Sequence, residues 1–148
     1  MRKMKYLLIA LFAVLQFTAC DSDDDLVVKT EDLPTAAQTF LNQYFPDMKI
    51  VQVKLDTEKM GRHYDVKLAD GSELEFDENG NWTEVDCKTR AVPSAIVPTP
   101  IANYVVSNYN AGVFIVKIER EISGYEIELS NGLDIKFNNE FNVIKVEN

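Results

Sequence analysis

Few residues in this chain of 148 have the type and spacing that chemistry needs. His63 is the only histidine, which excludes a Ser–His–Asp triad or a multi-histidine metal site within one chain. Cys87 has only His63 to activate it, and the two fall on different predicted strands, so no thiol nucleophile is expected. Glu73 and Glu75 share one strand face in the manner of an acid/base pair. On a solvated sheet, however, that spacing ordinarily makes a charged surface. The stretch Asp77-Glu78-Asn79-Gly80-Asn81 imitates the start of a calcium loop. Its twelfth position is Lys88 rather than Glu, and a hairpin is needed at that point, so at most weak calcium binding is expected. No glycine-rich loop is built to cradle phosphate. Trp82, with Val143 as its counterpart 61 residues on, reads as core rather than as a ligand platform. The residues therefore predict no enzyme, no cofactor and no metal site.

Chemistry of another kind is written at Cys20. Residues 1–19 read as a leader: Arg2, Lys3 and Lys5, an apolar run from Tyr6 to Phe17, then Thr18-Ala19 before the cysteine. The run is short for a membrane span of about 20 residues. Its end resembles a bacterial lipobox, in which the cysteine is lipidated and becomes the new N-terminus; Phe17 stands where Leu is usual. Asp21-Ser22-Asp23-Asp24-Asp25 repels itself and stays solvated, as a tether would. An acidic run in this place also resembles the surface-export signal of Bacteroidetes lipoproteins. The expectation is an outer membrane lipoprotein exposed at the surface; the alternative faces the periplasm.

Removing Arg2, Lys3 and Lys5 with the leader leaves 12 basic residues against 24 acidic, a net charge of −12. Nucleic acid, which needs a basic footprint, is excluded as a partner. An anionic lipid surface is disfavoured as a direct ligand, so membrane contact is expected through the lipid anchor only. With Cys20 lipidated, Cys87 has no intramolecular partner. It is expected either to be buried or to be a free thiol able to bridge between chains.

The elements that must position these groups are written twice. Tyr64-Asp65-Val66-Lys67-Leu68-Ala69-Asp70-Gly71 reappears as Tyr125-Glu126-Ile127-Glu128-Leu129-Ser130-Asn131-Gly132, and the offset of 61 holds to Asp86 and Glu147. Each half opens with an amphipathic helix. In the first, Leu33-Pro34-Thr35 leads into Ala37, Phe40, Leu41, Tyr44 and Phe45 on one face, and Pro46 stops it. In the second, Val97-Pro98-Thr99-Pro100 leads into Ile101, Tyr104, Val105 and Asn108 at the matching positions, with Ser94-Ala95-Ile96 able to add a turn before it. Four strands follow in each half. In the first half Val51, Val53 and Leu55 alternate with polar residues, as do Tyr64, Val66 and Leu68, then Leu74 and Phe76, and Asn81 to Asp86 closes it. The second half runs Phe114–Ile118, Tyr125–Leu129, Leu133–Asn138 and Asn142–Val146. Asp70-Gly71, Asn79-Gly80 and Asn131-Gly132 mark hairpins. Period-2 alternation predicts a sheet with one dry and one wet face.

The predicted fold is α+β: a tandem duplication of a helix plus four antiparallel strands, with the helices on one face of a continuous sheet. Residues 1–19 are the leader, 20–32 the lipidated cysteine and tether, and 33–148 the domain. Within it 33–86 is the first repeat, 87–92 a linker and 93–148 the second repeat. Tyr64, Tyr125, Phe76 and Phe137 are expected under the helices. The wet face carries Lys54, Asp65, Lys67, Glu73 and Glu75, then Lys117, Glu126, Glu128, Asp134, Lys136 and Lys145.

These motifs resemble the PepSY-like family, whose members are described as beta-lactamase-inhibitor-like. The resemblance lies in Leu33-Pro34, Tyr44-Phe45-Pro46, the series from Tyr64 through Gly80-Asn81-Trp82, Val92-Pro93, Val97-Pro98, Ile101, Tyr104, Tyr125, Asn131-Gly132 and Phe137, and spans residues 33–147. It implies an exported protein of gut Bacteroidetes with a fold similar to the tandem-repeat beta-lactamase inhibitory protein. PepSY domains in general are thought to restrain peptidases. The resemblance brings no catalytic motif. The inhibitor grips its target through an aromatic-rich open sheet face, whereas here that face is mainly Lys, Glu and Asp, which argues against beta-lactamase inhibition. Taken together, a non-enzymatic, lipid-anchored envelope binding module is expected. Its face of Lys54, Asp65, Lys67, Glu73, Glu75, Glu126, Glu128 and Lys136 would contact an unidentified protein partner, such as a peptidase that it inhibits. The alternative is a carrier of a small ligand or cation.

Overall fold

A computed structural model describes residues 26–57 and 61–148. Cys20, the leader and the acidic run 21–25 lie outside the described residues. The alternating segments become nine strands: β1 (Leu26–Val28), β2 (Ile50–Asp56), β3 (His63–Leu68), β4 (Glu73–Phe76), β5 (Trp82–Asp86), β6 (Ile115–Glu121), β7 (Gly124–Leu129), β8 (Asp134–Asn138) and β9 (Val143–Glu147). They form one sheet in sequence order, each strand antiparallel to the next. Helices α1 (Thr35–Tyr44) and α2 (Thr99–Asn108) precede β2 and β6, so a helix followed by four strands occurs twice.

The helices cover one face because the sequence leaves that face apolar. Ala37 and Leu41 of α1, and Ile101 and Val105 of α2, are buried against Val66, Leu68, Leu74, Phe76 and Val85, and against Ile118, Ile127, Leu129, Ile135 and Phe137. At matching places an aromatic ring of each helix meets a sheet phenylalanine edge-on: Phe40 on Phe76 at 5.6 Å and Tyr104 on Phe137 at 5.4 Å between centroids. Burying such a side chain contributes about 1.5–3 kcal/mol, and the edge-on geometry about 0.5–1.5 kcal/mol more. Tyr64 lies in this core, while Tyr125 is half-buried at its rim, stacked on Phe141.

Two further sequence expectations change. Leu26-Val27-Val28, assigned to the tether 20–32, pairs with Val53–Leu55 and is followed by a 3-10 turn at Thr30–Asp32. A run of three apolar residues is too short to show alternation, but it serves as an edge strand where β2 offers free backbone groups. Val51, expected on the dry face, is 52% exposed. The pairing steps from Ile50↔Leu68 to Gln52↔Lys67, so Val51 is the extra residue of a bulge that resets the alternation. A bulge at Val116 does the same in β6, and bulges at Thr83 and Ile144 interrupt β5 and β9. Thus all four bulges fall at corresponding positions in the two halves. The turn before α2 forms as expected, with Ile96 N–H donating to Pro93 O at 2.9 Å.

Gly124, at the start of β7, has φ +149°, and a Cβ built there would stand 1.9 Å from the Phe137 carbonyl oxygen on β8. Only a residue without a side chain lets the two strands approach so closely. Gly124→Ala is therefore expected to destabilise the protein by more than about 1 kcal/mol, read as a lower urea midpoint with an unchanged slope.

Candidate functional site

The uncovered face is ordered by register into rows of charge. Following the paired residues from strand to strand, one row reads Lys54, Asp65, Glu75, Glu84, Glu119, Glu126, Lys136 and Lys145. Five carboxylates thus stand on five successive strands, with lysines closing the row at each end. The parallel row reads Gln52, Lys67, Glu73, Asp86, Lys117, Glu128, Asp134 and Glu147, with two lysines set among five carboxylates so that no more than three carboxylates are consecutive.

Adjacent strands lie about 4.8 Å apart, so like charges opposite one another repel, at a cost of about 0.2–1 kcal/mol for each pair. Lysines offset part of this. Lys117 Nζ lies 3.1 Å from Glu84 and 3.7 Å from Glu119, bridging the seam between the halves. Lys136 holds Glu126 at 2.6 Å and Glu121 at 3.4 Å. Lys88, just beyond β5, reaches Glu73 at 2.8 Å and Asp86 at 2.6 Å, and Lys67 meets Glu73 at 3.2 Å. Glu84 is the most enclosed of the carboxylates whose titration is perturbed. Burial pushes its pKa up and the facing Glu75 and Glu119 add to that, while Lys117 opposes them.

All eight residues picked out by sequence as a partner-binding face lie on this face. They gather in two depressions. Lys54, Asp65, Lys67, Glu73 and Glu75 line a trough of about 310 Å³ in the first half, with Gln52 and Glu84. Glu126 and Glu128 line a smaller one of about 190 Å³ in the second, with Lys117 and Asp134; Lys136 stands beside it, bonded to Glu126. Sequence reading missed Glu84, Glu119 and Asp86. The bulge at Thr83 breaks the alternation of β5, so Trp82 and Val85 turn inward although three residues apart. Strand β6 also runs three residues past the expected Ile118.

The groups that looked chemical are absorbed by the fold. Asp77 Oδ1 accepts hydrogen bonds from the backbone N–H groups of Asn79 and Asn81, at 2.9 and 2.8 Å, and so closes the β4–β5 hairpin. Asn138 Oδ1 accepts from Glu140 and Asn142 N–H in the corresponding β8–β9 turn. Trp82 is buried, with Phe40 on one side and the Arg120 guanidinium 4.2 Å from its ring centroid. Cys87 is buried, and burial pushes its thiol pKa up despite Arg90 and Ser72. Register sets it beyond the end of β3 opposite to His63. Among the described residues no three of His, Cys, Asp and Glu converge to hold a metal ion.

Two helices on one face of an antiparallel meander, with the other face open and charged, define an open-faced α+β protein. The chain belongs to the family described as "Putative beta-lactamase-inhibitor-like, PepSY-like", whose model matches residues 62–145. Three solved structures are similar to it. One, a "putative periplasmic protein" of the DUF2874 family from Bacteroides vulgatus, is 46% identical, with a TM-score of 0.81 over 86% of this chain and 99% of that one. Another, from Bacteroides thetaiotaomicron, is described as a "putative calcium-regulated periplasmic protein" and is 40% identical, with a TM-score of 0.81 over 85% of this chain and 98% of that one. A third, from Bacteroides vulgatus and of unknown function, is 40% identical, with a TM-score of 0.79 over 84% and 99%. No curated protein matches the chain.

The pKa of Glu73 is held below its usual value chiefly by the hydrogen bond from Lys88, with Lys67 adding to it and burial opposing both. The folded state thus binds a proton there less readily than the unfolded chain. That stability is present above the unfolded pKa and is lost as pH falls through the depressed folded value. Between about pH 5 and pH 3 the wild-type melting temperature is expected to fall more steeply than that of Glu73→Gln, measured by circular dichroism.

Proposed function

We propose that this protein is a non-enzymatic binding module of the cell envelope, anchored through lipid on Cys20, whose open sheet face contacts a protein partner. The observation that carries the reading is the row of five carboxylates across β3 to β7, three of which, Asp65, Glu75 and Glu84, line the trough. Facing like charges weaken a sheet, so keeping them on one face favours a use outside the fold. A partner with a basic surface fits that row, and the terminal lysines would set its position. Such complementarity chiefly supplies specificity and encounter rate. An inhibitor of an exported enzyme is the form of this reading that the inhibitor-like family description favours, and a peptidase is the target that the resemblance to PepSY domains suggests. The recurrence of bulges and helix–sheet contacts supports an origin of the two halves by tandem duplication. An envelope location agrees with the three periplasmic relatives, and we infer the outer membrane, with the chain displayed at the surface.

Glu73→Lys combined with Glu75→Lys is expected to abolish capture of the partner in an in-cell crosslinking pull-down read by mass spectrometry. Unchanged capture would exclude this face as the site. Cys20→Ala is expected to remove labelling by radioactive palmitate, and persistent labelling would refute the anchor.

A second reading, a small-ligand or cation carrier, is favoured by the description of the Bacteroides thetaiotaomicron protein as calcium-regulated. A trough of about 310 Å³ is at the small end of ligand sites. Calcium titration by calorimetry separates the two: saturable binding with no protein captured favours the carrier.

A further inference from the structure

We propose that strand β9 is a self-recognition edge, through which two copies of this chain join their sheets about a twofold axis at Val146. Strand β9 ends the sheet, and its outer side has no neighbour among the described residues. Ile144 is 60% and Val146 48% exposed on it. An unpaired edge bearing apolar residues is a template for another strand, and its charges decide which strand.

Val146 lies opposite Ile135 and so belongs to the helix-covered face, while Lys145 and Glu147, opposite Lys136 and Asp134, belong to the open face. A perpendicular twofold axis keeps each face with its like, so a residue must pair with itself at the centre. Centred on Lys145 the strand sets lysine against lysine, and centred on Glu147 it sets glutamate against glutamate. Centred on the bulge residue Ile144, it would oppose inward Val143 to outward Lys145. Only the register centred on Val146 sets Lys145 against Glu147 of the second copy, twice, with the two valines meeting beside the core. Lys145 and Glu147 already lie 2.6 Å apart within one chain, and both side chains are about half-exposed, so each is accessible to the other copy's opposite charge.

The other free edge, β1, has three residues and no charge to select a register. Pairing of β1 with β9 would be head-to-tail and would not be satisfied by a twofold dimer. Pairing of β9 with β9 closes as a dimer with one continuous sheet, in which the two open faces lie side by side.

Directly opposed residues on antiparallel strands have Cα atoms about 4.5–5.5 Å apart, within reach of a disulfide. The test uses the full-length chain carrying Val146→Cys, exported to the envelope and treated with a mild oxidant, with the wild type controlling for Cys20 and Cys87. A disulfide-linked dimer absent from the wild type is expected. Lys145→Glu added to Val146→Cys should remove it, and Glu147→Lys added to both should restore it. Absence of the Val146→Cys dimer would overturn the proposal. So would equal dimer from Ile122→Cys, at a fully exposed hairpin tip, or single and double charge variants that behave alike. Position 146 is half-exposed, and recovery of normally folded monomer on reduction separates failed pairing from failed folding.

Discussion

Everything in this structure depends on covering one face of a wide antiparallel sheet. Nine strands joined in sequence order expose two broad surfaces, and among the described residues two ten-residue helices are there to cover them. Both are committed to the same side. Phe40 on Phe76 and Tyr104 on Phe137 fix each helix over its own four strands, and the buried aliphatic residues between them join the two covers into one core. The other face is left in water, and its residues are free to carry charge because no packing is asked of them.

That freedom explains the electrostatics. Strand pairing sets side chains in rows, so charge that looks scattered along the sequence is gathered across the sheet. Lys117 and Lys136 each serve more than one carboxylate. Glu84 is enclosed enough for burial to work against its ionisation, while Glu73, held by Lys88 and Lys67, is drawn the other way. Neighbouring carboxylates on one face thus differ in acidity for identifiable local reasons. The same concavity that encloses Glu84 makes the trough in the first half.

Local backbone devices hold the rows in place. Bulges at Val51, Thr83, Val116 and Ile144 shift the alternation by one residue where each strand must bend, and side chains beyond each bulge return to the required face. Gly80 lets the β4–β5 turn touch the start of α1, where a Cβ would meet the Ala37 nitrogen at 2.8 Å. In the second half the corresponding position is Phe141, which takes the same left-handed backbone (φ +61°) and stacks on Tyr125 instead. The two halves therefore solve one turn differently, by close approach in one and by an aromatic stack in the other.

Periodicity and turn residues are local properties, so the doubled pattern, α1 and α2, eight of the nine strands and the division into a dry and a wet face are legible in the order of residues alone. That order also placed Lys54, Asp65, Lys67, Glu73, Glu75, Glu126, Glu128 and Lys136 on one surface, since period 2 assigns faces without knowledge of pairing. Strand β1 was hidden because three residues carry no period, and Val51 was misplaced because a bulge is defined only against a partner strand. Glu84 escaped for the same reason, and Glu119 because β6 runs past the end that its local pattern indicated. The row of five carboxylates exists only through the pairing of β3 to β7, which no local pattern states. Register is a relation between strands, and no single strand encodes it.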